Sequence, residues 1–275
     1  MLKLLQKSAT FALSVITIVF TFVPEAAFEK VKLISAVSDE VNIILTRILA
    51  FIIVLCISFL GYVLWSHNRR KVCINGHNYS IQIEYGDILN ISNCKKVINF
   101  DECFSTCVGD APSEVKPSSI CGQYLRTNPV LDMQALIDKA RLTPARGKSQ
   151  YQGKTKYESG KLVPNGDYLL MAFAKLDKDG LGKFVSRDEF LDCLSTLWKE
   201  IDKYFDYKDV CIPILGSGLT RMDGISGASL SQQELLDIII MSYKLSSNKI
   251  KKPYKLRIVC KKQEGFSLSK ISEFT

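Results

Sequence analysis

The chain has 275 residues, and its 36 lysines and arginines outnumber its 28 aspartates and glutamates, giving a formal net charge of +8. This length fits one domain of moderate size plus an accessory segment. The excess charge is modest and its basic stretches hold few aromatic residues, which argues against a nucleic-acid partner. Nine cysteines without a Cys-x-x-Cys pair, and only two histidines, argue against a zinc site and indicate reduced thiols in the cytosol.

Two N-terminal stretches, 8–24 and 48–66, contain no charged residue. A helix that crosses the hydrocarbon core of a bilayer needs about 20 apolar residues. With their apolar flanks included, the two stretches predict membrane spans over about 4–24 and 43–66.

Each predicted span has an alternative interpretation. The first stretch resembles a secretory signal peptide, although Glu25 fits poorly beside a cleavage site that needs small residues. The second stretch is also compatible with a buried helix of a soluble protein. Its length, and the aromatic residues Tyr62 and Trp65 near one end, favour a membrane span.

Basic residues lie before the first predicted span and after the second. Lys3 and Lys7 precede the first span, and the basic run 69–71 follows the second. Because basic flanks remain in the cytoplasm, we predict a two-pass protein of the inner (plasma) membrane with both termini cytoplasmic. Residues 1–70 are thus predicted to form a transmembrane hairpin, and residues 71–275 a cytoplasmic domain.

From residue 71 onward, short strands alternate with helices, which predicts a three-layer α/β domain. Asn75-Gly76 between two strand-like runs is typical of a β-hairpin. Ser186, followed three residues later by Glu189, predicts a capped helix. The predicted strands are 71–74, 79–85, 96–100, 168–174, 210–215 and 254–260; the predicted helices are 131–142, 186–205 and 229–245; a long loop with short strands is predicted over 143–166.

The segment 216–219, Gly-Ser-Gly-Leu, lies between a predicted strand and a predicted helix. A glycine loop in this position lets backbone N–H groups approach a phosphate, and the helix N-terminus adds partial positive charge. Many ordinary tight turns contain glycines in the same arrangement, so the segment alone leaves both interpretations open.

Asp87 follows an earlier strand and Gly86. At the end of a strand, its carboxylate can accept a hydrogen bond from the exocyclic amine of a purine. It can equally cap a turn, since Gly-Asp is common in turns.

Catalytic and metal-binding motifs have little support in the sequence. The segment 177–188 has the acidic and glycine spacing of a calcium loop, but Leu181 at position 5 supplies no side-chain oxygen and Asp188 at position 12 is short. We therefore interpret it as a connecting loop. We predict no metal site and no catalytic residue, since neither histidine is placed beside a nucleophile.

The order of three segments, 86–88, 96–100 and 213–219, resembles that of a macro domain, the ADP-ribose-binding α/β module. The segments 97–106 and 168–173 look more narrowly like those of membrane-tethered macro proteins of the Thoeris anti-phage system, in which two spans precede the macro domain. This resemblance implies a three-layer mixed sheet with helices on both faces, following a two-helix transmembrane hairpin.

The resemblance also implies a function. In Thoeris systems, a partner TIR-domain enzyme consumes NAD and makes an ADP-ribose-derived signal, here expected to be histidine–ADP-ribose. The chain would be a membrane-anchored effector that binds this signal, forms homo-oligomers, and disrupts the membrane or arrests the cell. The TIR enzyme would be a functional partner without necessarily making contact, the bilayer a second partner, and the ligand would replace any cofactor.

The implied ligand contacts follow the macro-domain pattern. Asp87 and Ile88 would hold the adenine; Gly216, Ser217, Gly218 and Leu219 the diphosphate; and Asn99, Asp101 and Phe104 the distal ribose. Macro domains that remove ADP-ribose usually carry a second asparagine and a glycine-rich loop after the third strand, and both are missing here. A sensor is therefore favoured over two alternatives, a membrane-anchored ADP-ribosyl hydrolase and a passive ADP-ribose-binding module.

Overall fold

The computed structural model describes residues 2–22, 38–67, 69–184, 186–217, 221–222, 230–262, 266–269 and 271. The chain divides into two compact units, Met1–Arg69 and Arg70–Thr275. The helices are α1 (Leu2–Phe22), α2 (Asp39–His67), α3 (Ile120–Thr127), α4 (Met133–Lys139), α5 (Arg187–Tyr204) and α6 (Gln232–Leu245), with a 3₁₀ helix over Ile88–Asn90. The strands are β1 (Lys71–Asn75), β2 (Ser80–Tyr85), β3 (Cys94–Asp101), β4 (Leu162–Asn165), β5 (Tyr168–Leu176), β6 (Gly182–Phe184), β7 (Asp209–Pro213), β8 (Arg221–Met222) and β9 (Leu256–Cys260).

In the described part of the first unit, α1 and α2 pack against each other in antiparallel orientation. Ser58 of α2 donates a hydrogen bond to the Ser8 carbonyl of α1 at 3.3 Å, and the Arg47 guanidinium lies 5.4 Å from the centre of the Phe20 ring. Ser8 and Ala12 are fully buried at this contact. Small residues allow close approach of two helices where no water is available to drive their association.

The outer surface of this helix pair is apolar. Phe22 and Ile57 are 81% and 67% exposed. Four hydroxyl groups of α1 donate hydrogen bonds to the carbonyl four residues earlier in the same helix, so these polar groups need no partner outside it. These hydroxyls belong to Thr10, Ser14, Thr17 and Thr21.

Among the described residues, one helical segment, Glu40–Leu64, is long and apolar enough to cross a membrane. Its mean hydropathy is 2.8 and little of it is buried, whereas the core helix of a soluble protein is mostly buried. The apolar part of α1, Ser8–Phe22, is shorter than a typical span. The two-pass topology and its orientation therefore remain predictions.

In the described part of the second unit, nine strands form one mixed sheet. Its order is β1-β2-β9-β7-β3-β5-β6-β8, with β4 pairing to β5. The central strands β2, β9, β7, β3 and β5 are parallel, while β1, β4 and β6 pair antiparallel with their neighbours β2 and β5. The carboxyl ends of all five parallel strands consequently meet at one edge of the sheet.

Helices cover both faces of this sheet. In β3, Val97 belongs to the core shared with α5 and α6, whereas the next residue, Ile98, belongs to the core shared with α3 and α4. Because alternate side chains point to opposite faces, a parallel strand that is buried on both sides is apolar almost throughout. The predicted three-layer α/β fold is confirmed.

Most predicted elements of the second unit are confirmed to within a few residues. The hairpin at Asn75-Gly76 joins β1 and β2, and Ser186 caps α5 by accepting a hydrogen bond from the Glu189 N–H. The long loop over 143–166 ends in β4, as the predicted short strands allow. Helix α3 was not predicted, and neither were the short strands β6 and β8.

Candidate functional site

A cleft with a volume of about 560 Å³ opens at the carboxyl ends of the parallel strands. The ends of β3, β5, β7 and β9 form its floor, and the loop before α3, the β5–β6 turn and the start of α6 contribute its walls. Ligands of open α/β sheets bind at this edge, outside the carboxyl ends of the strands. The volume is within the range of about 300–1,000 Å³ that is typical of small-molecule sites.

Asp87 begins the 3₁₀ helix that follows β2. Its side chain accepts hydrogen bonds from the Leu89 N–H at 3.0 Å and from the Asn90 amide at 3.1 Å, so it caps this helix. The carboxylate is nevertheless exposed, and each of its oxygens retains a second lone pair for a ligand. Asp87 itself does not line the cleft, but the next residue, Ile88, packs against Val259 of the cleft floor.

The described part of the glycine loop, Gly216 and Ser217, lines the cleft directly after β7. Gly216 has a φ of 81°, in the left-handed region that favours glycine. Both hydrogen-bond donors of Ser217 are used within the turn, because its N–H (3.3 Å) and its hydroxyl (2.7 Å) donate to the Ile214 carbonyl. The predicted diphosphate residues Gly218 and Leu219 lie outside the described residues.

Two of the three predicted ribose residues reach the cleft. Asn99 and Asp101 line it at the end of β3. Phe104 does not line it: the residue is only 2% exposed, and its ring packs against Phe100 and Tyr157 with centroids 5.9 Å and 5.6 Å apart. The backbone turns at Phe104 with a φ of 53°, which places the ring in the core behind the cleft. This placement gives its side chain no access to a ribose.

The ionisable groups at the end of β3 differ in environment. Burial raises the pKa of the Asp101 carboxyl, and hydrogen bonds from Ser105 and from the Cys103 N–H oppose that increase. Glu102 is buried behind the cleft, where it accepts hydrogen bonds from the Ser149 hydroxyl at 2.6 Å and the Leu176 N–H at 3.2 Å. Burial also raises the pKa of the Cys103 thiol to about 11, so this thiol stays protonated at neutral pH and is a poor nucleophile.

The sequence did not predict the wall of the cleft that precedes α3. Residues 112–116 and 118–121 line this wall, and a bridge between Val108 and Val115 folds the loop back on itself. Ser119 caps α3 by accepting a hydrogen bond from the Gly122 N–H at 3.0 Å. The N-terminus of α3, with its partial positive charge, therefore faces the cleft.

Of the segment with calcium-loop spacing, residues 177–181 form the β5–β6 turn, whereas Gly182–Phe184 form β6 and Arg187 begins α5, so the connecting-loop prediction holds only for its first part. Asp177 accepts hydrogen bonds from the N–H groups of Asp179 and Leu181, at 3.0 Å and 2.9 Å. Within the described part of the chain, no group of three or more histidine, cysteine, aspartate or glutamate side chains could hold a metal ion.

The model of the family described as "Thoeris protein ThsA, Macro domain" matches residues 81–261 of the chain. The chain belongs to this ThsA macro-domain family. The match extends from β2 to the residue after β9, so it includes every strand whose end lines the cleft. The predicted Thoeris macro-domain resemblance is confirmed, and the chain is a macro-domain protein of the Thoeris anti-phage type.

A curated relative agrees with this ThsA assignment. The Thoeris protein ThsA of Bacillus amyloliquefaciens (strain Y2) is 29% identical over 217 residues, which cover 74% of this chain and 71% of the relative. Among solved structures, a mutant macrodomain of Oceanobacillus iheyensis has a TM-score of 0.45 at 10% identity, covering 75% of this chain and 97% of that one. The macrodomain of Thermus aquaticus DarG has a TM-score of 0.37 at 14% identity, covering 66% and 98%.

Proposed function

We propose that this ThsA-type protein is a membrane-anchored effector whose macro domain senses an ADP-ribose derivative. The observation that carries the proposal is the coincidence of the cleft with the segment that matches the ThsA macro family. Histidine–ADP-ribose made by a partner TIR-domain enzyme is the proposed signal. The cleft is large enough for a small-molecule ligand of this kind.

The order of the strands suggests how the ligand would lie. The 3₁₀ helix with Asp87 follows β2, the Gly216 loop follows β7, and Asn99 with Asp101 ends β3; these strands occur in that order across the sheet, with β9 between β2 and β7. An elongated ligand can thus place its adenine near Asp87, its diphosphate near Gly216 and its distal ribose near Asn99. Its terminal group would then face the wall before α3 and the β5–β6 turn.

The effector would act through assembly. Binding shifts an equilibrium only between states that the ligand distinguishes, and the described cleft offers no activated nucleophile. We propose that ligand binding drives oligomerisation of the macro domains. Oligomerisation would bring the apolar helix pairs together in the bilayer, with membrane disruption or growth arrest as the result.

One observation favours a second candidate, ADP-ribosyl hydrolysis. Asp101 lines the cleft and its carboxyl has a raised pKa, a property shared by many general acids and bases. Release of ADP-ribose from modified protein by the wild type, and its loss in Asp101→Asn, would establish this alternative. Binding without turnover would support the sensor.

Assembly and toxicity test the effector proposal. Light scattering should show that histidine–ADP-ribose increases the oligomer size of the detergent-solubilised full-length protein. Cells that make the TIR signal should die or stop growing with the full-length chain, but not with a chain that lacks residues 1–66. Unchanged oligomer size, or full toxicity of the truncated chain, would contradict the membrane-effector mechanism.

A further inference from the structure

We propose that Lys261 is a ligand-binding residue that supplies the counter-charge for the ligand's diphosphate. This inference rests on the proposed function and assigns a side-chain contact where the macro-domain resemblance implied backbone N–H groups alone. Lys261 directly follows β9 and lines the cleft.

The sheet order places Lys261 between the proposed adenine and diphosphate positions. β9 lies between β2, which leads to Asp87, and β7, which leads to Gly216. The carboxyl ends of these three parallel strands meet at the same edge. A side chain at the end of β9 is therefore next to the part of the ligand that joins adenosine to its phosphates.

The described part of the glycine loop provides few donors for a diphosphate. Both donors of Ser217, the N–H and the hydroxyl, are used within the turn by the Ile214 carbonyl. The N-terminus of α3 contributes partial positive charge from the other side of the cleft. A full positive charge nearby would further stabilise a ligand that carries two phosphate charges.

Among the described residues, four charged side chains line the cleft, and one of these four fits this role. Asp101 and Glu114 are carboxylates that repel phosphate, and Glu114 already accepts a hydrogen bond from the Ala111 N–H at 2.9 Å. Lys116 donates to the carbonyls of Asp110 and Ala111, which hold it within its own loop. Lys261 is exposed and has no ion-pair or hydrogen-bond partner among the residues that the structure describes.

The neighbouring residue Lys262 is a matched control. It is also exposed, but its ammonium lies 5.7 Å from the centre of the Tyr85 ring, and it does not line the cleft. Replacing either lysine with glutamine removes one positive charge from the same surface of the protein. A difference between the two variants therefore reports a local contact rather than the general field of a basic protein.

The test is calorimetry of ADP-ribose binding to the full-length protein in detergent. Lys261→Gln should weaken binding about three- to tenfold at low salt, as expected for a charge-assisted contact in a solvent-accessible cleft. Lys262→Gln should match the wild type, and Lys261→Arg should keep most of the affinity. Raising the ionic strength from about 0.05 M to about 0.5 M should weaken the wild type more than Lys261→Gln, because salt screens exposed charges.

Other outcomes have distinct meanings. Equal affinity of Lys261→Gln and the wild type, or an equal loss in Lys262→Gln, overturns the role of Lys261 but leaves the sensor proposal standing. Absence of binding of both ADP-ribose and histidine–ADP-ribose by the wild type overturns both. Because Lys261 is exposed, unchanged melting temperatures of the variants should accompany the loss of affinity; a large destabilisation of Lys261→Gln would instead make it a structural residue.

Discussion

The two faces of the central sheet share the same strands but are covered differently. Helices α5 and α6, of 18 and 14 residues, cover one face with a large apolar core. The other face has α3 and α4, of eight and seven residues, and long loops. Most of the cleft wall comes from this second, loop-rich side. The first face therefore provides most of the stability, whereas the second provides most of the cleft wall and the N-terminus of α3 with its partial positive charge.

Replacing a buried residue on the face covered by α5 and α6 should cause the greatest loss of stability. Trp198 is buried at 1% exposure and donates a hydrogen bond to the Ser242 hydroxyl at 2.9 Å. Trp198→Ala should lower the free energy of unfolding by about 3–5 kcal/mol, measured by denaturant titration with circular dichroism. Tyr207→Ala, at an exposed aromatic residue, should change it by less than about 1 kcal/mol. A similar loss of unfolding free energy in both variants would contradict the assignment of stability to the buried core beneath α5 and α6.

Gly160 tests the contact between the sheet and α5. A Cβ at Gly160 would lie 2.3 Å from the Cys193 carbonyl oxygen, and the residue has a φ of 92°. Gly160→Ala should cost about 3 kcal/mol of unfolding free energy through this clash and backbone strain. Gly166 has a φ of 62° but open space around it, so Gly166→Ala should cost only about 1 kcal/mol. Thermal melting of both variants would show whether the clash adds to the strain.

Asp87 is expected to contribute more to ligand binding than to stability. Asp87→Ala should weaken the binding of adenine-containing ligands about ten- to a hundredfold, because a hydrogen bond to a charged acceptor is worth about 1.5–3 kcal/mol. Loss of the helix cap should lower stability by about 1 kcal/mol. Asn90→Ala removes one hydrogen bond to Asp87 and should retain binding in calorimetry. A purely structural Asp87 would show the stability loss without a selective loss of affinity.

The pH dependence of stability that Asp101 causes should be smaller than the effects above. Burial raises the pKa of Asp101 in the folded protein, so the folded state binds this proton more tightly than the unfolded state does. The free energy of unfolding of the wild type, relative to that of Asp101→Asn, should therefore increase as the pH falls from neutrality. The increase should begin near the raised pKa of the folded state and be complete below the ordinary pKa of aspartate. Denaturant titrations at a series of pH values would measure this. A difference that is independent of pH would contradict the assigned cause.

The sequence allowed prediction of the elements whose signals are local. Burial on both faces gives β5 and β7 nearly continuous apolar runs, and Ser186 and Asn75-Gly76 mark a helix start and a turn. Helix α3 escaped prediction because eight residues contain only one apolar repeat, formed by Cys121, Tyr124 and Leu125. The same residues show that the signal existed but was too short to stand out.

The candidate site was only partly predictable from local sequence patterns. Gly216 directly follows a strand, and its glycine loop marked it as a candidate phosphate site. Asn99 and Asp101 lie at the end of β3, and their role was implied by the macro-domain resemblance. The wall at 112–116 reaches the cleft through a long loop without periodicity, which no local pattern indicates. The position of Phe104 depends on a left-handed backbone turn at a residue type that rarely adopts one.

Calorimetry of the full-length protein in detergent would test whether the cleft binds an ADP-ribose derivative. Histidine–ADP-ribose, ADP-ribose and NAD would be titrated into the wild type and into Asp87→Ala. We expect saturable binding of an ADP-ribose derivative, with histidine–ADP-ribose the tightest of the three, and an about ten- to a hundredfold loss of affinity in the variant. No heat of binding with any of the three ligands, or affinities that Asp87→Ala leaves unchanged, would contradict it.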